Sequence, residues 1–446
     1  MKKYPSYKPS GADWLDSIPS HWSTWKVSRL FKRIGSGTTP KAGTPEYYEN
    51  GTIPWINTGD LNDSYINESS KYITQKAFDD HSTLKMYEAG TLIVAMYGAT
   101  IGKIAITKFK ACTNQACCAL VQPTVIDTKF AFYWFIANKD DIINLSYGGG
   151  QPNISQDIVR NLKIPIGDLS EQQNIVCFLD YKTGQIDSFI ANRQKQIKLL
   201  KEQKASIIYK AVTKGINPDA KLKPSGIDWI EEIPDGWKMV KMKYCLKSMV
   251  GGGTPSKENP RYWNGDIPWI SPKDMKTDLI EKAEDYITVK GLEESSTILI
   301  KEPSILIVVR SGILKHTLPI AVNRVQVTLN QDLKALIPNK RFSINYLFEL
   351  FRGLSNVILF NCSKVVATVD SIETDDLLNL HLPVPPIEEQ IDIIDYIKTE
   401  TSIINNLIHK YQKQIDLMQE YKTSLISKTV TGKIDVREWQ PNRRGD

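Results

Sequence analysis

Two glycine-rich stretches, residues 35–41 (GSGTTPK) and 251–257 (GGGTPSK), pair free backbone amides with hydroxyls and a cation: Thr38, Thr39 and Lys41 in one, Thr254, Ser256 and Lys257 in the other. That donor set suits phosphate oxygens, which accept from amides, hydroxyls and ammonium groups alike. Tight turns joining strands, with each lysine simply solvated, are an equally good account of these loops. Further along, Tyr97, Thr100 and Lys103 follow one apolar run, and Arg310, Ser311 and Lys315 follow its counterpart. The runs match while these residues differ, as expected if two readers on one scaffold contact different bases. Ordinary loop drift explains the same difference. Gln151 and Asn153 follow Gly148-Gly149-Gly150, and an amide side chain can bond adenine through two hydrogen bonds; a polar turn is the plainer alternative. Trp55 and Trp269, in a duplicated IPWI, read as core residues rather than stacking platforms.

Catalytic constellations are absent from the sequence. His21, His81, His316, His381 and His409 form no HExxH or other zinc spacing. Residues 98–103 (GATIGK) resemble a phosphate loop, but three residues separate the glycines where four are needed, and Ile104 stands where a magnesium-binding hydroxyl belongs. The triple glycines do not meet the dinucleotide spacing, no GxSxG elbow occurs, and there is no Asn/Asp-Pro-Pro-aromatic motif. The expectation is a binder, not an enzyme. A net charge of +6 permits a nucleic-acid partner without demanding one. The longest apolar run, residues 130–137, is too short to span a bilayer, and the opening MKKYPSYKPSG lacks the apolar segment of a secretory signal. Six cysteines with no CxxC pair are then expected as reduced thiols in the cytoplasm.

The elements that must position these residues come in duplicate. KPSGADWLDSIPSHW (8–22) returns as KPSGIDWIEEIPDGW (223–237), the glycine loops each lead to IPWI, and Asn114-Gln115 matches Asn330-Gln331. LKIP (162–165) matches LHLP (380–383), so a unit of about 215 residues is written twice. Each unit ends in a long proline-free stretch, 171–212 and 389–430. Steps of three and four pick out Thr183, Ile186, Ile190, Arg193, Ile197, Leu200, Lys204, Ile207 and Ala211. The second copy gives Thr401, Ile404, Ile408, Tyr411, Ile415, Met418, Lys422, Leu425 and Thr429, a heptad seam with its polar flaws repeated. Rods of roughly 60 Å follow at 1.5 Å per residue, and the simplest cover for each apolar stripe is the other rod. Two helices buried separately would be the alternative. One rod leads away from the first domain and the other returns, so an antiparallel coiled coil with an approximate twofold axis is expected.

The fold class expected is therefore mixed α/β (α+β): a first recognition domain over 1–165, a helical spacer over 166–214, a linker and second domain over 215–384, a second spacer over 385–432 and a charged, poorly ordered tail over 433–446. Strands are expected over 91–97, 104–107, 119–121 and 305–310, and short helices over 129–137 and 344–352. In the second unit, residues 361–364 (NCSK) stand in for the GGGQPN run of 148–153.

Taken together, the repeated KPSGxDWxxxIPxxW opening, the Gly-Thr-Pro loop with IPW after it, and EEQ or EQQ leading into a long helix resemble the specificity (S) subunit of type I restriction-modification systems, from about residue 8 to residue 436. The resemblance implies two target recognition domains, each reading one half of a bipartite, asymmetric site in double-stranded DNA, with the paired helices as a ruler. It implies two adenine-N6 methyltransferase (modification) subunits and restriction/translocase subunits as partners. It also implies that no cofactor resides in this chain, S-adenosylmethionine, ATP and Mg belonging to those partners. An orphan DNA-binding protein, or a scaffold without nucleic acid, stands as the alternative. Steep salt dependence of binding would separate the last from the others.

Overall fold

The structure is a computed structural model that describes residues 2–12, 14–146, 153–364 and 369–441. The chain divides into two compact units, Met1–Arg193 with Lys413–Asp446, and Gln194–Gln412. In the first, a five-stranded sheet runs in the order Phe31–Ser36, Cys117–Pro123, Leu92–Ala95, Ile104–Thr107, Ser64–Ile66. The first three pairings are antiparallel and the last parallel. The second unit repeats this order and these senses with Leu246–Gly251, Leu333–Pro338, Ile305–Val308, Ile320–Asn323 and Leu279–Ile280. A three-stranded sheet accompanies each, centred on Ile53–Ile56 and Trp263–Ile270. The central strands are buried at every position and apolar at all but Thr107 and Asn323, as strands covered on both faces tend to be.

The repeated opening is explained by hairpin chemistry. Tyr7–Ala12 pairs with Leu15–Pro19, and Leu222–Ile227 with Ile230–Pro234, each with a bulge after the proline. At the bulges Gly11 and Gly226 have φ of 71° and 75°, a region L side chains avoid. Ser10 and Ser225 accept from the amides of Ala12 and Ile227 at 3.0 and 2.9 Å. The tryptophans that close the motif, Trp22 and Trp237, are fully buried.

Short aromatic helices form where expected, Thr128–Ala137 and Ile344–Gly353. The long helices are Leu169–Lys214 and Ile387–Val430. Their opening glutamines are buried and serve as locks. Gln172 accepts from the Asp127 amide at 2.8 Å and donates to the Val125 and Gly167 carbonyls, both at 3.0 Å. Gln390 repeats the pattern with the Ser343 amide and the Arg341 and Pro385 carbonyls. These bonds hold the helix starts against the globular parts of their own units.

Along the seam, Thr183, Ile186, Ile190, Ile197 and Ala211 are buried, as are Thr401, Ile404, Ile415, Leu425 and Thr429. Within the first unit, Asp187 of the first long helix takes an ion pair from Lys422 of the second at 2.6 Å, and Phe178 and Tyr181 pack on Trp439 beyond the second helix. Residue numbers thus fall along one partner as they rise along the other, and the helices run antiparallel. Within the second unit, Lys204 donates to Asn405 at 2.9 Å. Asn405 is the repeat counterpart of Asp187, so the same polar flaw is satisfied the same way in each unit.

One sequence expectation is corrected here. Residues 433–441 of the tail are packed, not loose: Ile434 and Val436 are buried, the Asp435 amide donates to the Lys2 carbonyl at 2.9 Å, and Arg437 lies over the Tyr4 ring at 5.0 Å. Composition suggested disorder because charge predominates, but three apolar side chains spaced along the tail suffice to seat it. Among the described residues, no helix is long and apolar enough to cross a membrane. All six cysteines are free, and five are buried. Burial pushes the thiols of Cys112, Cys118, Cys245 and Cys362 up to about 12, which keeps them protonated.

Candidate nucleic-acid interface

Pairing register sets which loops meet. Ser36 lies opposite Cys118, Ala95 opposite Cys117, and Val94 opposite Ile104. The loop leaving Ser36, the turn joining Ala95 to Ile104, and the residues entering Cys117 therefore all emerge at one end of the sheet. In the second unit Gly251 faces Lys334, Val308 faces Leu333 and Ile307 faces Ile320, so the same three connections emerge together. Loops so placed are where contacting residues concentrate.

The glycine loops sit hard against the duplicated Asn-Gln turn. A Cβ on Gly37 would lie 1.7 Å from the Thr113 carbonyl oxygen, and one on Gly252 would lie 1.9 Å from that of Asn330. The indole N–H of Trp55 donates to the Thr38 carbonyl at 3.1 Å, and that of Trp269 to Gly253 at 2.9 Å. Each tryptophan meets an aromatic partner, Tyr48 at 6.0 Å and Trp263 at 5.1 Å. Both tryptophans are core, as expected, and they anchor the loops. Thr39 donates to Gln115 and Thr254 to Gln331, while Lys41, Ser256 and Lys257 are exposed beyond these anchors.

The 98–103 stretch forms a single turn of 3₁₀ helix, Gly98–Thr100, between two sheet strands. Tyr97 is 39% exposed, the Thr100 hydroxyl donates to the Tyr97 carbonyl at 3.2 Å, and Lys103 is half-buried. Asn153, exposed, bridges Tyr97 by backbone pairing. Gln151, with Gly148-Gly149-Gly150, lies outside the described residues. In the second unit Arg310 takes the place of Tyr97 and bridges Ser371. Ser311 caps the turn Gly312–Lys315, accepting from the Ile313 amide, and Lys315 is exposed. The counterpart of Asn153 is thus Ser371. Residues 361–364, which replace the GGGQPN run in sequence, do not make this bridge, since Asn361 and Cys362 end the helix Ser355–Cys362. The two stretches differ in length before this bridge, and sheet pairing restores the register.

Sequence reasoning passed over Gln115, Gln331 and Asp332, which the fold brings to the same sheet end. The repeated Asn-Gln pair was the available signal. Among the described residues no His, Cys, Asp and Glu group could hold a metal ion.

Comparison with known proteins follows the same outline. The family model for the type I restriction modification DNA specificity domain matches residues 19–199 and again 234–417. The EcoR124I/EcoR124II specificity subunit of Escherichia coli is 42% identical over 171 residues, 38% of this chain and 42% of that one, so the chain spans about two-fifths of that relative. The MjaIX specificity subunit of Methanocaldococcus jannaschii is 25% identical over 440 residues, 95% of this chain and 96% of the relative. Among solved structures, a chain from a study of complex assembly and conformational transition of the type I R-M system superposes with a TM-score of 0.71 at 17% identity, covering 94% of this chain and 99% of that one. The HsdS subunit from Thermoanaerobacter tengcongensis gives a TM-score of 0.50 at 15% identity, over 94% and 98%. The two loop clusters described above fall within the two matched stretches, and the chain belongs to the type I restriction-modification DNA specificity family, as a specificity subunit with two recognition domains.

Proposed function

We propose that this chain is the non-catalytic DNA-reading subunit of a type I restriction-modification complex, each unit reading one half of a bipartite, asymmetric site. The observation that carries the reading is the pair of loop clusters: one scaffold built twice, with the same anchors and different exposed side chains. Lys41, Lys103, Lys257 and Lys315, with the loop amides, supply the phosphate contacts that set register, and the residues at the strand ends supply the base contacts. The outward faces of the long helices receive two adenine-N6 methyltransferase subunits, and the restriction subunits join that core. S-adenosylmethionine, ATP and Mg are held by these partners. The work is cytoplasmic, where the chromosome lies.

A single-molecule methylation map of the source genome, with this gene intact and deleted, tests the reading. A split motif of two short half-sites around a fixed gap loses its methyladenine on deletion if the reading is right. Identical maps would overturn the methylation-guiding role and favour an orphan binder.

A further inference from the structure

Between the two loop clusters one difference is coordinated. In the second unit Arg310 and Asp332 form an ion pair, Nε to Oδ1 at 2.7 Å. In the first, Tyr97 and Ala116 occupy those two places. The hydrogen bonds that hold the backbone at these two places are shared. The Val309 amide donates to the Asp332 carbonyl at 2.8 Å, as Met96 donates to Ala116 at 2.8 Å. The Asp332 amide donates to the Asn330 side chain at 3.0 Å, as Ala116 donates to Asn114 at 3.1 Å. The Ile372 amide donates to Val309, as Ile154 donates to Met96. The fold is therefore built once with the pair and once without it, and an ion pair whose arginine is half-exposed adds little stability. Its purpose is not structural.

We propose that Arg310 is the guanine-reading residue of the second recognition domain and that Asp332 orients it. The inference rests on the DNA-reading role proposed above and names the base. Asp332 is itself fixed, since Asn330 donates to Oδ2 at 3.1 Å while its main chain is tied to Val309. It grips Arg310 by Nε, and among the described residues nothing takes the two terminal amino groups. Those two groups present parallel donors in a plane, the geometry that matches guanine O6 and N7 in the major groove. A carboxylate that fixes the fork before DNA arrives removes rotamer freedom in advance, which favours discrimination. Arg310 stands where the central strand ends, beside an open concavity walled by Pro272, Gly312, Val369 and Ser371. Tyr97 offers no such fork, so the first domain has no guanine reader at this place.

The test is selection from a random duplex pool by the full chain, purified from its own cells with the subunits that accompany it, as wild type and as Arg310→Ala, Arg310→Lys and Asp332→Asn. Wild type should select a split site whose second-domain half contains an invariant G·C pair. Arg310→Ala should release that one position to all four bases, with a tenfold or greater loss of preference for guanine, while the other half-site stays unchanged. Arg310→Lys keeps the charge without the fork and should also relax that position; Asp332→Asn should relax it less. A site that stays strict at every position in Arg310→Ala overturns the inference and leaves the DNA-reading role standing. No sequence selection by wild type overturns both. Should Arg310→Ala fail to fold, Asp332→Asn decides: unchanged stringency at the guanine would sink the assignment.

Discussion

Replacing Gln172 by alanine should destabilise the first unit by about 4 kcal/mol, because three backbone groups would lose their partner at a site that water does not reach. The Gln172 side chain is fully buried. It satisfies the Asp127 amide and the Val125 and Gly167 carbonyls. A buried polar group left unpaired costs roughly 1–3 kcal/mol, and three at roughly 1.3 kcal/mol each give the total of about 4. For a unit of this size each kcal/mol lowers the melting temperature by roughly 2–4 °C, so a drop of roughly 8–16 °C is expected. Differential scanning calorimetry of the full chain is the assay, with Gln173→Ala as its control. Gln173 is exposed one position along the same helix, and its loss should stay within roughly 0.5 kcal/mol. Gln172→Glu keeps the acceptor for Asp127 but faces a carboxylate oxygen to two carbonyls, so it should not rescue. A Gln172→Ala transition within 2 °C of wild type would refute the view that this amide locks the helix to the globular part of its unit.

Two further predictions follow from single contacts. Gly37→Ala should lower affinity for the preferred duplex at least tenfold in a gel-shift titration, since the added Cβ would fall 1.7 Å from the Thr113 carbonyl oxygen, a backbone atom that cannot step aside. Gly59→Ala, where nothing lies within 4 Å, should bind as wild type. In the second unit, burial pushes the Glu349 carboxyl up, against the opposing pull of Arg352. A carboxyl raised in the folded state binds its proton more tightly there than in the unfolded chain. Stability is therefore fullest below the unfolded value and falls as pH rises through the folded one. Glu349→Gln should flatten that fall in melts across the mildly acidic range, and an unaltered pH profile would show that Glu349 does not set it.

Much of this was legible in the sequence because repeats expose their own constraints. The constant offset between copies marked the two units, and the three-four spacing marked the long helices, down to the lysines at matching seam positions. Trp55 and Trp269 were readable as core from their IPWI context. The contacts at the sheet end were not, because they join residues distant in sequence. Thr39 meets Gln115 and Arg310 meets Asp332 only once strands have paired, and nothing local near any of them announces it. The contacts that the sequence left unassigned around residues 361–364 have the same origin. Between the aromatic helix and the final bridge the two copies differ in length, so counting along the chain fails where backbone pairing succeeds. Composition misled at the tail, where charge outweighed three well-spaced apolar residues.

The packing of the tail on Tyr4 and Lys2 also bears on the order in which the protein can be made. The second unit is one uninterrupted run, Gln194–Gln412, while the first is assembled from both ends of the chain. On a ribosome adding about 5–20 residues per second, the first unit has most of its residues early, then waits about 10–45 s while the other is synthesised. Its helix seam, with Asp187 still lacking Lys422, stays uncovered through that interval. The unit begun first is thus the last to be completed, and a chain that stops short of residue 413 leaves its opening half with an apolar stripe in water.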